Sequence, residues 1–170
     1  TTLAMSSAAS DVYKRQCGDN GSGKSTLIRI ILGITKQTKG NIKNNSSHGI
    51  TYLGHKNAIK NYLTLEDNIL LMELNDKEEL NKYIEILNLR KYMDVIAANL
   101  SFGQQKKLAL LRIFLNNSDL IILDEPFVGL DIETQDILSE FLNNQLKINK
   151  SIIYTSHISC QIESKILKIN

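Results

Sequence analysis

Gly18 to Ser25 reads Gly-Asp-Asn-Gly-Ser-Gly-Lys-Ser, which fits the spacing G-x-x-x-x-G-K-[ST] of a phosphate-binding loop. Those residue types suit the cradling of a polyphosphate. Gly18, Gly21 and Gly23 open backbone conformations closed to residues with a Cβ, so successive N–H groups can turn inward on an anion. A helix starting near Lys24 aims its N-terminal N–H groups and its dipole at the same anion. The Lys24 ammonium is then placed to bridge the β- and γ-phosphates. The Ser25 hydroxyl is placed to bind Mg²⁺, a cation that prefers oxygen. The plainer reading is a glycine-rich turn that only caps a helix.

A second group with chemical potential lies about a hundred residues on. Leu120-Ile121-Ile122-Leu123 has the continuous apolar pattern of a parallel strand buried on both faces. It runs into Asp124-Glu125-Pro126. Adjacent carboxylates at the end of a buried strand are costly unless they are used, and in open α/β sheets that edge is where ligands bind. Asp124 is placed to hold Mg²⁺ through water, and Glu125 to orient or deprotonate an attacking water. A surface turn is the alternative.

Leu100-Ser101-Phe102-Gly103-Gln104 supplies a helix start with a hydroxyl and a glycine, which reads equally as simple capping or as a second anion site. His157 follows the strand expected over residues 151–155 and could there contact a γ-phosphate. His55 follows another expected strand. A lone histidine is usually structural or solvated, but a strand end leaves a functional role open.

The elements that must position these residues alternate between strand and helix, which argues for a mostly parallel sheet flanked by helices. Helices are expected over residues 25–34, 78–89, 105–116 and 132–147, the first apolar on most sides and so buried. Leu80, Tyr83, Ile84 and Leu87 form a stripe at helical spacing that reads as core packing. Thr64 with Asp67, and Asp131 before Ile132, read as helix caps. Residues 57–100 form a mainly helical insert. Strands are expected over residues 41–43, 48–53, 120–123, 151–155 and 166–169.

The stretch before the glycine-rich loop does not fit. Ser10-Asp11-Val12-Tyr13-Lys14-Arg15-Gln16 is too polar for the buried strand that normally precedes such a loop. Residues 1–16 are either an atypical lead-in or, the favoured reading, foreign sequence joined to a truncated gene. The domain is then read as residues 17–170, with strands missing at its start.

The 170 residues suit one domain with a real core, and 42% hydrophobic with 22% charged residues is ordinary for a globular chain. A net charge of +2 gives no argument for nucleic acid. Cys17 and Cys160 match no zinc spacing and favour a reducing compartment. No apolar run approaches the ~18 residues of a membrane span.

Taken together and in this order, the motifs at 18–25, 100–104, 120–126 and 129–131, with His157, resemble those of an ABC-transporter ATPase subunit. The resemblance implies an α/β P-loop NTPase cassette with a small helical subdomain. Two copies would pair head to tail, each ATP lying between one copy and the other's Ser101, Gly103 and Gln104. The nucleotide would be held by Gly18, Asp19, Asn20, Gly21, Ser22, Gly23, Lys24, Ser25 and Thr26. The metal would fall to Ser25 and Asp124, water activation to Glu125, and γ-phosphate sensing to His157. Asp131 would belong to a loop crossing the pair. Tyr52-Leu53-Gly54-His55, with His55 where most members carry glutamine, is similar to the heme-exporter ATPases of bacterial cytochrome c maturation. That subfamily implies a transmembrane permease partner, a place on the cytoplasmic face of the inner membrane, and no nucleic acid. The sequence departs from the common pattern at Phe102, usually glycine, and at Val128-Gly129, usually Ser-Ala. An exporter of another substrate, a soluble ABC protein and a non-catalytic fragment are the alternatives.

The loop reading makes one expectation testable by itself. Lys24→Ala should abolish nucleotide binding, measured with a fluorescent ATP analogue; unchanged affinity would contradict the cradle.

Overall fold

The computed structural model describes residues 3–4, 13–17, 23–43, 48–74, 76–156, 162 and 165–168. Its main sheet has five parallel strands. In chain order they are β2 (Tyr13–Cys17), β4 (Ile50–Leu53), β5 (Leu120–Asp124), β6 (Ser151–Thr155) and β7 (Lys165–Lys168), arranged in space as β4-β5-β6-β2-β7. Two shorter strands, β1 (Leu3–Ala4) and β3 (Ile42–Lys43), pair with each other in parallel. The helices are α1 (Lys24–Ile31), α2 (Leu65–Leu70), α3 (Lys77–Ile86), α4 (Phe102–Phe114) and α5 (Ile132–Lys147).

Alternation along β5 separates the two faces of the sheet. Leu120 and Ile122 pack with Ile28 of α1 and Ile153. Ile121 and Leu123 pack on the opposite side with residues of α4 and α5, among them Leu108, Leu111, Leu138 and Leu142. Parallel strands covered on both faces explain why β5 is apolar throughout and buried at every position.

The structure corrects the sequence reading in front of the glycine-rich loop. Tyr13–Cys17 is a strand, and it is an interior one, paired with β6 on one side and β7 on the other. Its polar composition argued against this, but backbone pairing on both sides overrides side-chain preference. Helix α1 also differs from expectation. It stops at Ile31, followed by Gly33 at φ 73°, and Ile28 is its fully buried residue while Ile34 is 67% exposed. Covering one face of the sheet requires only one apolar stripe.

Helices α2 and α3 lie within residues 57–100. Thr64 caps α2 by accepting from the Asp67 N–H at 3.1 Å, while Asp67 accepts from the Thr64 N–H at 3.2 Å. The stripe on α3 packs into the core: Tyr83 stacks on Phe114 of α4 at 4.5 Å, and Phe114 meets Phe141 of α5 edge-on at 4.9 Å. These rings fasten the insert to α4, the helix that also contacts β4.

Leu110 is wholly buried at the middle of α4. Leu110→Ala should lower unfolding free energy by about 2–5 kcal/mol, measured by urea titration.

Candidate functional site

Parallel register builds the site at the C-terminal edge of the sheet. Thr155, the last residue of β6, pairs with Asp124 of β5 on one side and with Gln16 of β2 on the other. Its hydroxyl donates to Asp124 Oδ1 at 2.7 Å and accepts from the Glu125 N–H at 2.9 Å. A hydroxyl can do both at once. Thr155 is fully buried and Asp124 is 6% exposed, so these bonds satisfy groups that water does not reach. The other Asp124 oxygen, Oδ2, accepts from the Ser25 hydroxyl at 3.2 Å. That bond joins the first turn of α1 to the end of β5 across 99 residues of sequence.

Glu125 leaves the strand at φ 51°, in the left-handed region that a side chain enters at a cost of ~1–3 kcal/mol. The hydrogen bond from its N–H to Thr155 holds that conformation, which turns the chain sharply away from the β5 direction. Gly23, the residue before α1, sits at φ 92° with open space where a Cβ would lie. An anion could approach the backbone closely there.

A second constellation forms where α4 begins. Ser101 and Gln104 make a reciprocal capping box: the Gln104 N–H donates to Ser101 Oγ at 3.2 Å, and the Ser101 N–H donates to Gln104 Oε1 at 2.7 Å. A Cβ on Gly103 would lie 2.6 Å from the Gly129 carbonyl, so helix and loop touch backbone to backbone. Asp131 caps α5 through Thr134 and forms an ion pair with Lys107 at 2.6 Å. Hydrogen bonds from Lys107 and then from Thr134 hold the Asp131 carboxyl well below the usual carboxylate range. Ser101, Gly103, Gln104, Lys107, Gly129 and Asp131 line a cleft of about 380 Å³ together with Leu87, Asn88, Lys91 and Tyr92. Ser25, Asp124 and Glu125 are not part of its lining.

The structure thus brings Ser25, Asp124 and Glu125 to one place and Ser101, Gly103 and Gln104 to another. His55 is exposed on the bend after β4, at the same edge of the sheet as Asp124. Gly18, Asp19, Asn20, Gly21, Ser22 and His157 lie outside the described residues, as does the Lys24 side chain. Thr26 is exposed on α1. Sequence reasoning passed over Thr155 and Lys107. The signal for Thr155 was a hydroxyl ending a strand whose middle is apolar; Lys107 had none.

Residues 16–128 match the ABC transporter family. The chain belongs to that family. This ABC cassette is 31% identical over 166 residues to the cytochrome c biogenesis ATP-binding export protein CcmA of Pasteurella multocida, covering 89% of this chain and 77% of the relative. To the protein of the same name from Gluconobacter oxydans it is 33% identical over 147 residues, covering 86% and 69%. In fold, the cassette resembles the ATP-binding subunit of an ABC transporter at TM-score 0.79 and 24% identity, over 94% of this chain and 75% of that one. A dimeric bacterial ABC transporter cassette gives TM-score 0.75 at 23% identity, over 93% and 81%. The cassette is therefore an ATP-binding subunit of the ABC transporter type, and an ATPase.

Thr155→Val keeps the shape of the side chain but leaves a buried carboxylate oxygen and a buried N–H without their bridge. It should destabilise the cassette by about 1–3 kcal/mol in denaturant titration.

Proposed function

We propose that this cassette hydrolyses ATP to drive an export step in cytochrome c biogenesis, with heme as the cargo, working as a head-to-tail pair on a transmembrane permease. The observation that carries the hydrolytic part is the Ser25–Asp124 hydrogen bond at the N-terminus of α1, braced by Thr155. It joins a helix start suited to phosphates with a strand end suited to metal and water.

In this reading Gly18 to Thr26 surround the triphosphate, with Lys24 supplying a positive charge. Ser25 and Asp124 offer two oxygens 3.2 Å apart, a donor set that fits Mg²⁺, which takes few protein ligands and completes its shell with phosphate and water. When bound, Mg²⁺ would neutralise charge on the β- and γ-phosphate oxygens. Glu125 accepts a proton from the attacking water or orients it. His157 reads the γ-phosphate, and His55 joins when the site closes.

The cleft beside Ser101, Gly103 and Gln104 is the surface offered to the ATP of a second copy. Its helix N-terminus and glycine contact suit phosphate, and the dimeric neighbour supports pairing. Among the described residues no helix is long and apolar enough to cross a membrane, so in this reading the spans belong to the permease. Exposed Tyr62, Leu70 and Leu71, at 75%, 69% and 60%, give the insert an apolar surface for docking onto it. The CcmA relatives and the Gly54-His55 pair support the biogenesis assignment.

Glu125→Gln should retain nucleotide binding while ATP turnover falls by about 10²-fold or more. Equal turnover by the mutant would remove Glu125 from the water-activating role.

A further inference from the structure

The cleft at the start of α4 is lined by more than that helix and the loop before α5. Lys91 and Tyr92, from the 3₁₀ turn Arg90–Tyr92, share its lining with Ser101, Gly103 and Gln104. The turn is held in place. Leu89 before it is wholly buried and donates its N–H to the Ile84 carbonyl at 2.9 Å, and Tyr92 packs against the main core. Arg90 is engaged with α3, donating to Glu85 at 2.7 Å and to Asn81 at 3.0 Å. Lys91 is not engaged in this way. It is exposed, and among the described residues it forms no ion pair. Its ammonium lies 5.1 Å from the centre of the Tyr92 ring, a cation–π contact that steadies a flexible side chain without cancelling its charge.

The charges of the lining favour an anion. Its one acid is Asp131, already paired with Lys107 at 2.6 Å. Lys91 is therefore a positive charge with no counterpart in the cleft. The Ser101 hydroxyl and the Asn88 amide beside it can donate hydrogen bonds. A volume of about 380 Å³ is that of a small-ligand site.

We propose that Lys91 is a nucleotide contact acting in trans: in the head-to-tail pair its ammonium meets the triphosphate held by the other copy and helps ATP to close the pair. This rests on the pairing proposed above and adds to it a residue outside the start of α4. An uncancelled cation also makes closure depend on nucleotide charge, so ATP is favoured over ADP, which has one phosphate fewer.

The test uses the full chain carrying Glu125→Gln as the parent and adds Lys91→Gln, Lys91→Glu or Lys91→Arg. Sedimentation velocity reads the paired fraction with Mg²⁺ and ATP, with Mg²⁺ and ADP, and without nucleotide, at low and high salt. Thermal midpoints without nucleotide check folding; the side chain is exposed, so all should match the parent. Lys91→Gln should weaken ATP-dependent pairing about 10-fold, as expected for losing one charge-assisted hydrogen bond, and Lys91→Glu should weaken it further. Lys91→Arg should keep it. The gap between the parent and Lys91→Gln should narrow at high salt. Parent-like pairing by Lys91→Gln and Lys91→Glu overturns the proposal, as does an arginine variant no better than the glutamate one. Equal weakening with and without nucleotide marks a contact between the two chains alone and also overturns it. If the parent does not pair with ATP, the head-to-tail reading fails and the Lys91 contact falls with it. If the parent pairs and the Lys91 variants pair as well, only the Lys91 contact fails.

Discussion

One threonine hydroxyl holds two strand ends together at the C-terminal edge of this cassette's sheet. Thr155 gives its proton to Asp124 and receives the N–H of Glu125, so a single buried oxygen sets both the carboxylate and the backbone turn that follows it. The arrangement depends on register. β5 and β6 must pair so that Asp124 and Thr155 are partners, because a slip of one residue would send the threonine side chain to the other face of the sheet. Two covered faces forbid that slip: Ile121 and Ile152 belong to one cluster, Ile122 and Ile153 to the other. Core packing on both sides thus fixes the position of the chemical groups at the edge.

At the start of α4 and in the loop before α5, Phe102 and Gly129 fit one another. A Cβ on Gly129 would lie 2.3 Å from the Phe102 ring, and Gly129 itself is at φ 81°. The ring occupies the space that the missing side chain leaves. Gly103 meets the same loop from the helix, and the Lys107–Asp131 ion pair ties the two elements one turn further on. The start of α4 and the start of α5 are therefore one unit. Displacement of either would be felt in the cleft that they share.

Strain and charge are concentrated at the end of β5. Glu125 holds a left-handed backbone angle, and Asp124 is buried. Each feature is unfavourable alone. The Thr155 bridge offsets both.

Much of this was legible in the residues. Periodicity gave the helices near 78–89 and 132–147, β-branched apolar runs gave β5 and β6, and side-chain chemistry gave the caps at Thr64, Ser101 and Asp131. These depend on neighbours within a few positions, so local sequence contains them. The order of the motifs likewise carried the family, which the match over residues 16–128 shows. Tertiary structure alone decided the rest. Tyr13–Cys17 becomes an interior strand because two other strands pair with it, which no property of those five residues announces. Thr155 acquires meaning only through Asp124 and Glu125, since it lies 31 positions from Asp124 along the chain but bonds to it in the fold. Hydrogen bonds and charges act through space, and sequence records distance only along the chain.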